Sequence, residues 1–228
     1  MRRLHAIAVA VALLLMISAS ACSSAPTAAA PTAAPAAAAP TAVPAAPAPA
    51  ADVVVYASDV QKSALTDELT FSDDPASPGG KMIILPNTGD KLNAPPEDDP
   101  HFTFPVQVQS DVAYRCWIHM KVGAPKGVSQ ANRFYVQFSD AVDKAKQPVF
   151  TQGTGSYMTA QGPQQEGWTW VGCDSSDPEA PDSLLYFRIS GKVTARLQAG
   201  MEGVGFDEFL LSPARFLEQP PTEAVVQK

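Results

Sequence analysis

Two features of the sequence predict an all-β fold, a two-sheet antiparallel β-sandwich of the jelly-roll type. Apolar residues recur with period two in one segment after another, which is typical of strands that bury one face. Turn signals rich in Gly and Pro separate these segments, and no convincing amphipathic helix lies between them. Eight or nine such strands indicate a sandwich, and the Gly/Pro-rich crossing loops favour a jelly roll over an immunoglobulin-like topology.

The strongest strand pattern lies in residues 184–213. Apolar and polar side chains alternate twice within this stretch, and residues 206–211 then form a third apolar run. Residues 190–192 predict the first turn and the glycine-rich residues 200–205 the second, because glycine tolerates positive φ without a steric cost. We therefore expect three antiparallel strands here.

Further strands are predicted upstream of this stretch. In residues 112–122, Cys116 and its even-numbered neighbours face the core, so Trp117 and His119 face outward. Residues 133–139 repeat this alternation. The predicted strands cover residues 52–60, 81–85, 102–108, 112–122, 133–139 and 168–170. The remainder is predicted to be loop, namely residues 65–80, residues 94–100, and an irregular segment over 140–167 with a strand near 149–152.

The N-terminus has the features of an export signal. Arg2 and Arg3 precede an apolar run that is too short to span a membrane, and three small residues then precede Cys22. This cysteine resembles the lipidated residue of the bacterial lipobox, although Ala19 stands where Leu is usual. We expect residues 1–21 to be the signal peptide and Cys22 to carry the lipid, with ordinary signal cleavage as the alternative. The expected product is an exported lipoprotein, anchored on the cell surface or outer membrane.

Composition divides the rest of the chain. Residues 22–51 are almost all Ala, Pro, Ser and Thr, which predicts a disordered tether; residues 52–217 form the predicted sandwich, and residues 218–228 a flexible tail. Without the signal peptide, 14 basic residues face 23 acidic ones, a formal charge of −9. This balance argues against nucleic acid and anionic lipid surfaces as partners, so we expect membrane contact only through the lipid anchor.

Two cysteines remain after lipidation of Cys22. Cys116 and Cys173 are not spaced for a zinc site. In an oxidising compartment two remaining cysteines most often pair, so we predict a Cys116–Cys173 disulfide. The alternative is a pair of buried thiols that lie too far apart to bond.

Several motifs resemble a galactose-binding-like jelly roll, close to carbohydrate-binding modules of the family 6, family 35 and malectin type. The matching pieces cover most of residues 52–217 and are residues 56–59, 114–119, 191–197 and 207–211. The resemblance implies the fold and a carbohydrate ligand. It also implies a structural calcium, for which Asp59 and Asp207 are the candidate ligands. Ser58 stands where the family has Glu, and the alternative is that Asp207 only makes local hydrogen bonds.

Outward-facing aromatic and polar residues are the candidates for sugar binding. Aromatic rings stack on the C–H faces of sugars, while Arg and Gln make directional hydrogen bonds to hydroxyl groups. We expect the candidates to share one concave face, although a loop over Trp117 is an equal alternative. They are Trp117, His119, Tyr135, Gln137, Tyr157, Trp168, Trp170, Arg188 and Arg196.

The sequence offers little for catalysis. It contains neither a zinc-protease helix motif nor a nucleophile elbow, and acids such as Glu166 and Asp174 have no predicted place across a substrate. We therefore predict a non-catalytic, surface-anchored carbohydrate-binding lipoprotein. The alternative is an envelope structural or protein-interaction module, which would bind an envelope protein through a contiguous apolar patch. An envelope hydrolase ranks third; its sign would be paired carboxylates or a His–carboxylate contact.

Overall fold

The computed structural model describes residues 50–86, 90–122, 132–163, 167–176 and 183–221, all within the compact unit Pro47–Lys228. The predicted signal peptide, Cys22, almost all of the tether, Glu166 and residues 222–228 lie outside the described residues. Within the described ranges, no helix is long and apolar enough to cross a membrane. Export, lipidation and the tether stay predictions.

Strands dominate the described part of the chain, and the only helical pieces there are the short 3₁₀ turns Ala57–Asp59 and Lys62–Ala64. The strands are between two and nine residues long. In chain order the strands are β1 (Val53–Tyr56), β2 (Thr70–Asp73), β3 (Lys81–Ile84), β4 (His101–Val108), β5 (Tyr114–Val122), β6 (Arg133–Phe138), β7 (Ala141–Val142), β8 (Met158–Gln161), β9 (Gly167–Ser175), β10 (Leu184–Phe187), β11 (Gly191–Ala199) and β12 (Gly205–Ser212).

The strands form a curled antiparallel sheet that folds into two layers. The hydrogen-bonded order is β2-β3-β12-β5-β9-β8-β6-β11-β4. Strand β9 joins the layers: residues 167–172 pair with β5 in the first sheet, and residues 173–175 pair with β8 in the second. Strand β1 pairs with β12, and β10 with β5. The predicted two-sheet antiparallel sandwich is confirmed.

Phenylalanine rings fill the space between the layers. Phe206 and Phe209 of β12 in the first sheet meet Phe102 and Phe104 of β4 in the second, with ring centroids 5.0 Å apart for Phe102–Phe206 and 5.1 Å for Phe104–Phe209. All four rings are buried, as the alternation in residues 102–108 predicts for Phe102 and Phe104. Offset and edge-on aromatic contacts of this kind add specific attraction to the burial of apolar area.

The structure differs from the sequence prediction in the segments expected to be loops. Strand β2 lies in the expected loop 65–80, and β7 and β8 lie within the irregular segment 140–167. The strand expected near 149–152 is only a single bridge between Thr151 and Phe138. Strands β2 and β8 are four residues long with few β-branched residues, and β7 has only two residues, so their pairing partners decide their conformation. The first predicted strand ends at Tyr56, where the 3₁₀ turns begin.

Replacing Phe206 should destabilise the whole sandwich, because its ring is fully buried against rings of the opposite sheet. We expect Phe206→Ala to lower the free energy of unfolding by about 3–5 kcal/mol, measured by urea denaturation. The control is Ile189→Ala at an exposed turn, where the side chain is 42% exposed and a change below about 0.5 kcal/mol is expected. Equal effects in the two variants would contradict the assigned core.

Candidate functional site

The predicted binding residues lie on the outward faces of two different sheets. His119 of β5 is paired with Trp170 of β9 in the first sheet, whereas Gln137 of β6 is paired with Arg196 of β11 in the second. Alternation gives each residue's direction, but it does not tell which sheet its strand joins. The expectation of one shared face is therefore wrong: Trp117, His119, Trp168 and Trp170 form one set, and Tyr135, Gln137, Tyr157 and Arg196 the other.

On the first sheet, ring contacts connect β5 and β9; we call Trp117, His119, Lys121, Trp168 and Trp170 the aromatic strip. The His119 ring stacks on Trp168 with centroids 5.1 Å apart and planes 17° apart, and it lies 4.9 Å from Trp170. Lys121 Nζ is 5.7 Å from the Trp168 ring centroid. Both indoles are only partly exposed. Neighbouring side chains therefore already occupy much of the aromatic surface.

Trp117 is covered by the chain that follows β12. Its Nε1 donates a hydrogen bond to the backbone oxygen of Phe216 at 2.7 Å, and the residue is 6% exposed. Opposite Trp117 stands Gly172, where a Cβ atom would lie 2.4 Å from Nη2 of Arg115 and 3.3 Å from the Trp117 ring. A glycine is needed here for both side chains to pack. Trp117 is thus a packing residue beneath the C-terminal segment.

A β-bulge aims two acidic side chains of β12 at the aromatic strip. The register shifts between Phe206 and Glu208, so Asp207 is the additional residue. Asp207 is buried and its Oδ1 lies 2.7 Å from Nδ1 of His119. Burial raises the pKa of Asp207 above its usual value, although the hydrogen bond with His119 acts in the opposite direction. This is a His–carboxylate contact, the feature expected of a hydrolase.

Glu208 is fully buried, and neither carboxylate oxygen has a hydrogen-bond partner. Burial, and then the neighbouring charge of Asp207, raises its pKa to about 8. The Oδ2 atom of Asp207 is also buried without a partner. A buried carboxylate without partners is costly, so Glu208 is mostly protonated at neutral pH in the absence of a bound cation.

The predicted calcium ligands are not brought together by any contact that the structure describes. Asp59 is exposed in a 3₁₀ turn and influences Tyr56, while Asp207 contacts His119. Among the described residues, no three His, Cys, Asp or Glu side chains are grouped to hold a metal ion. The unpartnered oxygens of Asp207 and Glu208 have the chemistry that calcium prefers, and backbone carbonyls would have to complete the shell. Calcium binding stays a prediction.

The second sheet carries an open cleft of about 460 Å³ on its outward face. We call it the polar cleft. Its base is formed by Arg196 and its cross-strand partner Thr103, and loop residues form the walls. Its lining is Pro95, Pro96, Asp98, His101, Thr103, Gln137, Gln152, Gly153 and Arg196.

Hydrogen bonds fix the polar groups at the base of this cleft. Gln137 is fully buried; its Nε2 lies 2.8–3.0 Å from three backbone oxygens of the loop over residues 151–156. Its Oε1 accepts a hydrogen bond from Arg196 at 3.2 Å, and Arg196 also donates to Asp98 at 3.0 Å. Burial lowers the pKa of Arg196, and Asp98 opposes this effect. The guanidinium is thus a preorganised cationic donor at the base of an open cleft.

The remaining candidates lie outside the polar cleft lining. Tyr135 is buried and packs edge-on against Tyr157, with ring centroids 5.0 Å apart. Arg188 lies in the turn after β10, where it pairs with Asp140. Sequence reasoning missed Thr103 although its outward position in β4 follows from alternation, and it also missed His101, Gln152 and Asp98. The last two belong to loops whose position no local pattern predicts.

Cys116 and Cys173 lie side by side on β5 and β9. Both are buried free thiols in the structure, with Sγ atoms 2.7 Å apart. The predicted bond is therefore not formed here, but the alternative that the two thiols are too far apart is wrong. Burial raises the pKa of Cys116 well above its usual value, which favours the thiol form. Oxidation to a disulfide after export stays a prediction.

Several solved structures match about 70% of this chain at low sequence identity. They include the GH26-CBM35 β-(1,4)-mannanase of Podospora anserina (13% identity, TM-score 0.45). This match covers 72% of this chain and 28% of the mannanase. They also include the C-terminal CBM6 of the Zobellia galactanivorans laminarinase LamC (12%, TM-score 0.42, covering 71% of this chain and 98% of that one). A third is a family 35 carbohydrate-binding module from Clostridium thermocellum (15%, TM-score 0.42, covering 70% and 97%).

No protein-family profile matches the sequence, and no curated protein matches it. The chain spans less than a third of the length of the mannanase.

We predict that Glu208 makes the protein less stable as the pH rises. Its pKa is 4.5 when unperturbed and about 8 in the folded protein, so between these values the folded state binds more protons than the unfolded state. The free energy of unfolding should therefore fall across this range, and Glu208→Gln should remove on the order of a few kcal/mol of that fall. Urea titrations in a chelating buffer at several pH values measure it; the exposed Glu68→Gln control should keep the wild-type slope.

Calcium, if the prediction from the resemblance is right, should raise the melting temperature of the wild type, because it would bind only the folded state. Asp207→Asn should remove this rise, whereas Asp73→Asn at an exposed position should keep it. Differential scanning calorimetry after chelation, with calcium or magnesium added back, measures the effect. An unchanged wild-type melting temperature would refute calcium binding.

Proposed function

We propose that this chain is a non-catalytic carbohydrate-binding protein and that the polar cleft binds poly- or oligosaccharide. The observation that carries the proposal is Arg196. Its guanidinium is buried at the cleft base, held by Gln137 on one side and Asp98 on the other. Hydroxyl groups of a sugar need donors and acceptors in fixed positions, and this arrangement supplies both without reorganisation on binding.

The other groups in the cleft suit the same ligand class. Asp98 is an exposed acceptor whose side chain is 84% accessible, and His101 lies 3.4 Å from it. Thr103 supplies a hydroxyl beside Arg196, and Pro95 and Pro96 supply an apolar wall for C–H faces. The volume of about 460 Å³ lies in the range of small-molecule sites. Convergent polar groups beside an apolar wall are what a sugar requires.

The rival classes have weaker support. For a protein-interaction module, the expected apolar patch is lacking among the described residues, where Ile189 is the only large hydrophobic side chain that is exposed. For a hydrolase, His119 contacts Asp207, but Asp207 is buried outside the polar cleft. Of the described residues that line the cleft, Asp98 alone is a carboxylic acid, whereas most glycosidases need two.

The proposal includes the predicted export and anchoring. A lipid on Cys22 would hold the chain at the membrane, and the Ala/Pro-rich tether would extend about 3 Å per residue in polyproline-like segments. The binding domain would then reach glycans of the envelope or the medium. An acidic chain with a formal charge of −9 after export suits neutral glycans better than anionic ones.

Removing the Arg196 guanidinium should strongly weaken sugar binding, because its charge-assisted hydrogen bonds contribute most to a polar site. We expect Arg196→Gln to weaken binding by about tenfold or more, measured with the full chain in detergent on a glycan array and by polysaccharide pulldown. The matched control is Arg188→Gln, which removes an exposed, paired arginine away from the cleft. Since Arg196 is buried, Thr103→Val serves as a second variant with little effect on packing.

The outcomes separate the two surfaces. Binding lost in Arg196→Gln and weakened in Thr103→Val, with unchanged melting temperatures, would support the polar cleft. Binding lost only in Trp170→Ala would move the site to the aromatic strip. No binding by folded wild-type protein across a broad array would overturn the carbohydrate proposal and favour a protein partner.

A further inference from the structure

We propose that the polar cleft receives the end of a sugar chain and that the next unit lies in a second cleft over Thr194 and Pro105. This inference rests on the proposed function, because it specifies which part of a glycan the polar cleft binds. It follows from the position of the loop over residues 92–99, which covers one end of the outward face of β11 and leaves the other end open.

The loop closes one end of the cleft by following β11 along its outward face. Leu92 N–H donates to the Gly200 oxygen at 3.2 Å, and Gln198 Nε2 donates to the Asn93 oxygen at 2.9 Å. The loop then reaches Arg196 through Asp98. Gln198 is fully buried as a result. A chain lying in the polar cleft cannot continue in this direction.

The opposite end is open. The next outward pair after Arg196 and Thr103 is Thr194 with Pro105, and Pro105 is exposed at the sheet edge. These two residues form the base of a second cleft of about 300 Å³, which shares Thr103 with the polar cleft. Its far wall is the 3₁₀ region that includes Gln61. The bases of the two clefts are therefore continuous.

The spacing suits consecutive units of one chain. Successive outward pairs on neighbouring strands are two residues apart, or about 6.6 Å along the strand. Gln152 lies at the junction, since it lines the polar cleft and its Nε2 donates to the Thr194 oxygen at 3.1 Å. The second cleft offers the Gln61 amide, the Thr194 hydroxyl and the apolar ring of Pro105. These groups suit hydroxyl groups and C–H faces, as in the polar cleft.

Chain length and chain ends test this arrangement. The probes are linear gluco- and manno-oligosaccharides of one to six units and cyclic gluco-oligosaccharides, titrated into the full chain in detergent by calorimetry. We expect affinity for linear probes to rise by about tenfold or more from one unit to two or three and then to level off. Cyclic probes, which have no end, should not bind.

Variants locate the second unit. The double variant with Thr194→Val and Gln61→Ala should remove the gain for linear trimers and leave the affinity for single sugars unchanged. Thr70→Val, an exposed threonine on the other sheet, is the matched control and should keep the gain. If linear probes bind with an affinity that does not depend on their length, or if cyclic probes bind equally well, this inference is overturned and the proposed function is not affected. No binding of any probe by folded protein, with a silent glycan array, would overturn the proposed function together with it.

Discussion

The buried amide of Gln137 is the interaction on which the second sheet's surface depends. A fully buried side-chain amide is tolerated only when its donors and acceptor are satisfied. Here the two N–H groups of the amide donate to three backbone oxygens of the 151–156 loop, which share them, and the amide oxygen accepts from Arg196. Gln137 thereby fixes a wall of the polar cleft and the cation at its base. A residue expected from the sequence to contact a ligand instead supports Arg196 and the loop over residues 151–156.

On the first sheet, by contrast, buried polar groups lack hydrogen-bond partners. The bulge in β12 places Asp207 and Glu208 on the outward side beside His119, and three of their four carboxylate oxygens have no partner. Bulges locally redirect side chains in this way and often lie at functional positions. Protonation or a bound cation would each relieve the cost of these oxygens. The polar side chains of the polar cleft thus form hydrogen bonds with one another, whereas the unpartnered oxygens of Asp207 and Glu208 destabilise the folded state.

Sequence alone predicts the architecture and the direction of most side chains. Alternation correctly separated Phe102, Phe104 and Cys116 from outward residues such as Trp117 and Gln137. It could not tell which outward residues meet, because sheet membership depends on pairing between strands distant in sequence. Nor could alternation predict which segment lies over a given residue. Trp117 is covered by the segment that contains Phe216, 99 residues further along the chain. Local patterns therefore predicted the fold well and divided the site residues wrongly.

The two outward faces differ in how far the segments that lie over them extend. The first sheet has its aromatic strip stacked internally and partly covered by the C-terminal segment, so its rings contribute mainly to packing. On the second sheet the covering loop reaches only as far as Arg196 and then turns back into β4, so Pro105 stays exposed. The same alternation that builds the core leaves a row of polar residues on each outward face. The length of a loop, rather than the strands beneath it, decides which part of that row stays accessible to solvent.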